Sequence, residues 1–348
     1  MRWIAPARAL VVLLLGALVG GGLVFAVSHS GPSPTPTSPA SATPSVDDAA
    51  SRAMALQERV VAVVKQVSPA VVAIEGGPGQ GSGVVYDSKG DVVTNAHVVG
   101  TSTSFTVTLA SGDSYPAVLV GSYVPDDIAV IRISAGGLAP ARFGDSSKLS
   151  VGDFVLAIGN PLGLRSSVTE GIVSAVGRQV SEVSGYALPD VIQTSAHINA
   201  GSSGGALVDL DGEVVGIPTL GKAPPTGGDN APGIGFAISS NRARTIADQL
   251  IASGRVTDSG RADAGLTLET SETRGALVIG VETGGPADKA GIVVGDTVTA
   301  VDRTQVPDYP TYTEAIAAHR PGDEVTLTVV RRDGTTATVK VTLGTFTG

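Results

Sequence analysis

Three side chains in this sequence are of the types that together make a hydroxyl reactive. His97 lies in Thr94-Asn95-Ala96-His97-Val98-Val99, at the end of an apolar run. Asp127 lies in Asp126-Asp127-Ile128-Ala129-Val130, where another such run begins. Ser203 lies in Asn199-Ala200-Gly201-Ser202-Ser203-Gly204-Gly205-Ala206-Leu207, among glycines. Taken singly, each has a plain structural reading: a histidine closing a strand, an aspartate in a turn, a serine in a loop. Taken in the order His, Asp, Ser, they describe acyl-transfer chemistry. A serine hydroxyl is a weak nucleophile until a base within hydrogen-bond reach takes its proton. The base in turn needs an acid that holds its tautomer. Glycines around the serine permit a tight turn whose N–H groups, those of Gly201 and Ser203, aim at one spot and stabilise a tetrahedral oxyanion. With a histidine as general base, activity should rise through roughly pH 6.5–7.

Composition excludes most other chemistries. The 348 residues contain no cysteine, so no disulfide framework, zinc–thiolate site, iron–sulfur cluster or cysteine nucleophile is available. Aromatic residues make up 4%, which leaves little stacking surface for single-stranded nucleic acid. The 23 Lys+Arg against 32 Asp+Glu give a net charge of −9, and no basic run interrupts it; nucleic acid is not an expected partner.

The elements around the three residues are short. Asp47 and Asp48 can cap a helix running to about Gln66, stopped by Pro69. Short β-branched runs follow, at Ala70–Ile74, Gly83–Tyr86, Asp91–Asn95, Ser104–Leu109, Ala117–Ser122, Ala129–Ile133, Phe154–Ile158, Gly171–Val176, Ala206–Val208, Val214–Ile217 and Gly235–Ile238. Asp87-Ser88-Lys89-Gly90 reads as a hairpin between two of them. Many short strands with Gly-rich turns and little helix between them predict barrels or sandwiches, not a βαβ fold. A helix is expected at Asn241–Ala252, ended by Gly254, and a polar linker at Arg255–Ala262. Beyond Asp263, strands surround two short helices, one opened by Pro286 and one at Tyr309–Ala318. A hairpin across Asp333-Gly334 closes the chain.

At the other end, Ala9 to Val27 carries no charge and is long enough as a helix to approach the thickness of a bilayer core, with Arg2 and Arg8 before it. It reads as a signal-anchor, or a signal peptide if cut near Ser28, and either puts the rest of the chain outside the cytoplasm. Ser30 to Ser45 is an uncharged Pro/Ser/Thr spacer.

The segments TNAHVV, DIAV, GNPLGL (159–164), VTEGIVSAVGR (168–178), INAGSSGGALV and GIGFAIS (233–239) occur in the order found in the HtrA (DegP-like) family of trypsin-fold serine proteases, which the chain resembles over about 60–240. The stretch Gly284-Gly285-Pro286-Ala287-Asp288-Lys289-Ala290-Gly291-Ile292 resembles the signature of the PDZ domains attached to such proteases. The resemblance implies a mainly β chain: two six-stranded antiparallel β-barrels followed by an α+β PDZ domain. The organisation would be an anchor (1–28), a linker (29–46), a protease domain (47–254), a second linker (255–262) and a PDZ domain (263–348). It implies His97, Asp127 and Ser203 as base, orienting acid and nucleophile, and Gly201 and Ser203 as oxyanion hole. It further implies substrate pairing as an added strand along Ile217, Pro218 and Thr219, and peptide C-termini held by Ala264, Gly265 and Leu266. No cofactor or metal is implied. The expected partners are unfolded or exported proteins, the membrane through the N-terminal helix, and two further copies in a homotrimer assembled through 47–67. An alternative reading is a latent protease acting as a chaperone or peptide-binding module. The chain also departs from the family pattern. Ala200 and Ser202 stand where Pro and Asn are usual, which frees the oxyanion loop to flip. His197 stands where the family places the base of the specificity pocket, and where Ala is usual; it either makes that pocket polar or points outward. Asp263 and Ala264 replace an aromatic or aliphatic pair before Gly265.

Overall fold

The computed structural model describes residues 46–76, 79–160, 167–181, 187–199, 201–219, 233–271 and 274–346. The expected anchor and nearly all of the first linker lie outside them. Among the described residues no helix is long and apolar enough to cross a membrane.

The chain enters through α1 (Val46–Val67). Only its last turns are apolar on a single side: Val63 and Val67 are buried, while Met54 and Val61 stay exposed. Arg59 anchors the helix by donating to the Leu210 carbonyl and pairing with Asp211 at 2.7 Å. Pro69, in a 3-10 turn at Ser68–Ala70, ends it.

The first barrel consists of β1 (Val71–Gly76), β2 (Gly79–Val85), β3 (Asp91–Thr94), β4 (Ser104–Thr108), β5 (Ser114–Tyr123) and β6 (Ile128–Ile133), with the one-turn helix α2 (Ala96–Val99) after β3. The strands close in the order β1-β2-β3-β6-β5-β4. Across the β3–β6 pair, Arg132 holds the buried Asp91 carboxylate with two bonds, at 2.7 and 3.0 Å.

The second barrel is made of β8 (Phe154–Gly159), β9 (Ser167–Ser181), β10 (Ala187–Thr194), β11 (Ala206–Asp209), β12 (Glu213–Thr219) and β13 (Gly235–Ser239). A two-residue β7 (Arg142–Phe143) lies parallel to β12. The order β11-β8-β9-β10-β13-β12 closes through a β11–β12 pairing, so the antiparallel six-stranded expectation holds for this half too. β7 and β10 are additions to the strands expected from sequence. In β10, Pro189 breaks the run and Asp190 takes φ 55°, and the pairing with β9 shifts register repeatedly, which hides the period-two pattern of an ordinary strand. The helix α3 (Ser240–Ser253) buries Ala243, Ile246, Ala247 and Leu250, and Gly254 caps it at φ 72°. One apolar cluster joins the barrels: Val84, Val93 and Val130 from the first share it with Leu156, Ile158, Ile217 and Ile238 from the second, and with Ile246 of α3.

The polar segment expected as a linker, 255–262, contributes packed residues. Val256 enters the shared core and Ser259 is buried. The C-terminal unit contains β14 (Ala262–Asp263), β15 (Leu266–Thr270), β16 (Ala276–Val281), α4 (Pro286–Lys289), β17 (Thr297–Val301), β18 (Thr304–Gln305), α5 (Tyr309–Ala317), β19 (Glu324–Val330), β20 (Thr336–Thr342) and β21 (Gly344–Thr345). Its main sheet runs β15-β16-β17-β19-β20, with β18 on β17, while β14 and β21 pair separately. Leu268, Val278, Val298, Leu327 and Val341 form its core under Tyr312 and Ile316 of α5. Asp308 caps α5, accepting from the Thr311 N–H at 2.9 Å.

Candidate active site

His97 stands on α2, one residue into the helix, and Asp127 follows a 3-10 turn at Val124–Asp126. The aspartate holds left-handed backbone angles, φ 52° and ψ 40°, a conformation that aspartate tolerates better than most residues. Its N–H returns to Val124 O at 3.0 Å, and Asn95 Nδ2 donates to its carbonyl at 3.0 Å. The carboxylate, 1% exposed, receives three donor groups: the His97 backbone N–H at 2.9 Å, His97 Nδ1 at 2.9 and 3.0 Å to its two oxygens, and Thr219 Oγ1 at 2.7 Å. A carboxylate only accepts, so the imidazole proton is assigned to Nδ1 and Nε2 becomes the basic nitrogen.

The Ser203 loop is fastened to the first barrel by Ser82 of β2. The Ser82 N–H donates to Ser203 O at 2.9 Å, and its hydroxyl donates to Gly201 O at 2.6 Å while accepting from Asn160 N at 2.8 Å. Thr94 Oγ1 donates to the Ser82 carbonyl at 2.7 Å. Gly204, at φ 80°, presses on the same place. A Cβ there would lie 2.2 Å from Ser82 O and 2.3 Å from Thr94 Oγ1, so no other residue fits. The glycine also stands beside Asn95, two residues before His97. Thus the Ser203 loop is fastened to β2, and Gly204 packs beside the β3–α2 turn that carries His97. The Ser203 hydroxyl is buried and forms no hydrogen bond with any described residue. The Ser203 N–H donates to no backbone carbonyl among the described residues. Ala200 lies outside the described residues.

Other expected site residues are placed differently from one another. Ile217 is fully buried in the shared core. The Pro218 carbonyl accepts from Gly204 N at 3.0 Å. A residue's N and carbonyl point to the same side of a strand. The missing proline N–H therefore falls on the Gly204 side of β12, away from β13. Thr219, expected along the substrate strand, turns its hydroxyl to Asp127. His197 is solvent-exposed, with buried Ala196 and Ile198 on either side pointing inward; its carbonyl accepts from Thr169 Oγ1 at 2.8 Å. Ala264 is buried, and Gly265 and Leu266 lead into β15.

Sequence reasoning missed what holds Asp127 from behind. Asp126 is fully buried beside it. Arg261, from the segment leading into the C-terminal unit, donates to Asp126 Oδ1 at 2.8 Å and to Pro125 O at 2.6 Å. Arg242 of α3 lies 2.7 Å from Asp126 Oδ2, as an ion contact outside aligned hydrogen-bond geometry. The Arg261 guanidinium also lies over the Phe346 ring, 5.8 Å from its centre. The doubled Asp126-Asp127 is the one sequence signal that could have pointed here.

The profile of the trypsin-like peptidase domain matches residues 81–217, and that of the PDZ domain matches residues 232–343. Serine protease PepD of Mycobacterium tuberculosis is 37% identical over an alignment covering 97% of this chain and 76% of that protein. The chain belongs to the HtrA-type serine proteases. The HtrA-type protease AlgW, solved with a decapeptide, superposes with a TM-score of 0.57 at 30% identity, covering 83% of this chain and 99% of the other. The periplasmic pH-dependent serine endoprotease DegQ of Escherichia coli is 40% identical over 77% of this HtrA-type chain and 60% of its own length. A probable periplasmic serine endoprotease, DegP-like, of Chlamydia pneumoniae is 39% identical over 76% of this chain, which spans about half (54%) of that relative.

Proposed function

We propose that this chain is a serine endopeptidase that hydrolyses peptide bonds of unfolded or damaged proteins outside the cytoplasm. The observation that carries the reading is the carboxylate–imidazole pair: Asp127, buried and held by three donor groups, with the His97 proton facing it on Nδ1. His97 Nε2 takes the Ser203 proton as Ser203 Oγ attacks the substrate carbonyl, and later returns it to the leaving amine. Gly201 N–H and Ser203 N–H bind the oxyanion. The substrate pairs as a strand along 217–219, and His197 contributes to its selection. The C-terminal unit presents extended segments of the same substrates or regulates the site through them. Residues 1–28 tether the chain to the membrane, and the exposed Met54 and Val61 on α1 serve trimer assembly.

The test is direct. The chain should cleave unfolded β-casein, and a fluorophosphonate probe should label Ser203; both should vanish in Ser203→Ala, and labelling should vanish in His97→Ala. Labelling that survives His97→Ala rejects the assignment. The Ser203 hydroxyl, which bonds to no described residue, favours a second reading, a protease that rests latent and acts as a peptide-binding chaperone until substrate arrives. Under that reading, probe labelling is slow in the free chain and accelerates when unfolded protein is added.

A further inference from the structure

A second place built to receive a polypeptide is the open edge of β15. The strand is outermost in its sheet, and α5 packs against it. Glu282 N donates to Gly265 O at 2.9 Å. In an antiparallel ladder the next residue then turns its N–H and carbonyl the other way, so those of Leu266 face the uncovered side. The turn Asp263-Ala264-Gly265 closes the end of this edge, with Gly265 at φ 69°. An extended peptide can add there as a strand.

The closed end of the edge is acidic. The half-buried Asp263 carboxylate faces the N–H groups of Gly265 and Ala264, the donors that would otherwise hold an incoming anion. Burial pushes this carboxyl above the usual range, and the neighbouring Glu282 pushes it further, against the pull of those N–H groups. Glu282 covers the turn from the other side. Its Oε2 would lie 3.1 Å from a Cβ on Gly265 and equally close to one on Gly285. The cation acting on Asp263 is Arg261, whose guanidinium is bound to Asp126. A free peptide carboxylate arriving here meets two carboxylates at donors that one of them already faces.

We infer that this groove selects an internal extended segment, with a Lys or Arg side chain set against Asp263 and Glu282, over a free peptide C-terminus. The inference rests on the reading of this unit as a strand-adding peptide site. It is tested on the full chain carrying Ser203→Ala, so that nothing is cleaved, with three fluorescein-labelled hexapeptides of one apolar sequence. The first has a free C-terminal carboxylate, the second a C-terminal amide, the third a terminal Lys as its amide. In fluorescence anisotropy the amide should bind about tenfold more tightly than the acid, and the Lys amide more tightly than either. Adding the isosteric pair Asp263→Asn and Glu282→Gln, with an unchanged melting curve, should bring acid and amide together. An acid that binds most tightly, or an acid-to-amide ratio that the isosteric pair leaves unmoved, overturns the inference while leaving the groove a peptide site. If none of the three peptides binds, the strand-adding reading itself fails.

Discussion

At the scale of single residues, Thr219 carries the sharpest expectation. Its hydroxyl is one of three donor groups on the Asp127 carboxylate, and hydrogen bonds to a buried charge contribute about 1.5–3 kcal/mol. Thr219→Ala should therefore lower kcat about tenfold or more with KM nearly unchanged, and Thr219→Ser should restore most of the loss; a Ser variant as slow as Ala rejects the role. Ser82→Ala tests the other half of the site. It removes the donor to the part-buried Gly201 carbonyl and the acceptor for the buried Asn160 N–H, the latter at about 1–3 kcal/mol. Fluorophosphonate labelling of Ser203 should slow in that variant before any change in global unfolding. The pairing of His97 with Asp127 was legible in the sequence because acid–base chemistry fixes its residue types, and the Ser203 turn because glycines mark it. Thr219 and Ser82 were not, because a hydroxyl acquires its role from a partner that only the fold brings near, 92 positions away for Thr219.

Whole elements depend on a few polar ties. Asp145 links the 3-10 turn at Ser146–Lys148 to the start of α3, accepting from Asn241 Nδ2 and Ser147 Oγ, each at 2.7 Å, and from Ser147 N. The Asn241 bond leads in holding its pKa down to about 2. A carboxyl depressed by folding stabilises the native state above its unfolded pKa, and the contribution fades as pH falls through the folded value. Chemical denaturation midpoints of wild type and Asp145→Ala should thus differ fully above about pH 4 and converge near pH 2. A difference that persists at pH 2 rejects the tie. Arg261 ties the segment before the C-terminal unit to the turn that presents Asp127. Arg261→Ala should cost about 3 kcal/mol by leaving Asp126 with Arg242 as its sole facing cation among the described residues, measured as a drop in denaturation midpoint. The element pattern was legible wherever strands alternate or run apolar, and helices wherever Pro and Gly mark their ends. It failed at β10, where a proline, a left-handed aspartate and repeated register shifts erase the period. In the segment 255–262, polar composition concealed Val256 and Ser259 as packing residues.

At the scale of the molecule, the barrels share one core, so neither should unfold alone. Ile246→Ala, at a fully buried position of α3 in that core, should cost about 2–5 kcal/mol, and the loss of tertiary signal and of proteolysis should shift together. Two separated transitions would contradict a shared core. Light scattering on the full chain reports assembly, with three chain masses expected for a trimer and one if α1 faces solvent unpartnered. Under the proposed function, closure of the barrels has a further meaning. Exposed strand edges recruit other strands, and unfolded chains are rich in sticky extended segments. Two barrels, each sealed on itself, give such segments few places to template growth. In the open sheet, β20 carries Lys340, a charge that discourages strand addition, whereas β15 meets solvent with Thr267, Glu269 and Thr270 along an edge that α5 walls on one side. Under that function, an extended segment that adds to this chain would add at β15, where growth stops after one strand, instead of seeding a fibre on the barrels.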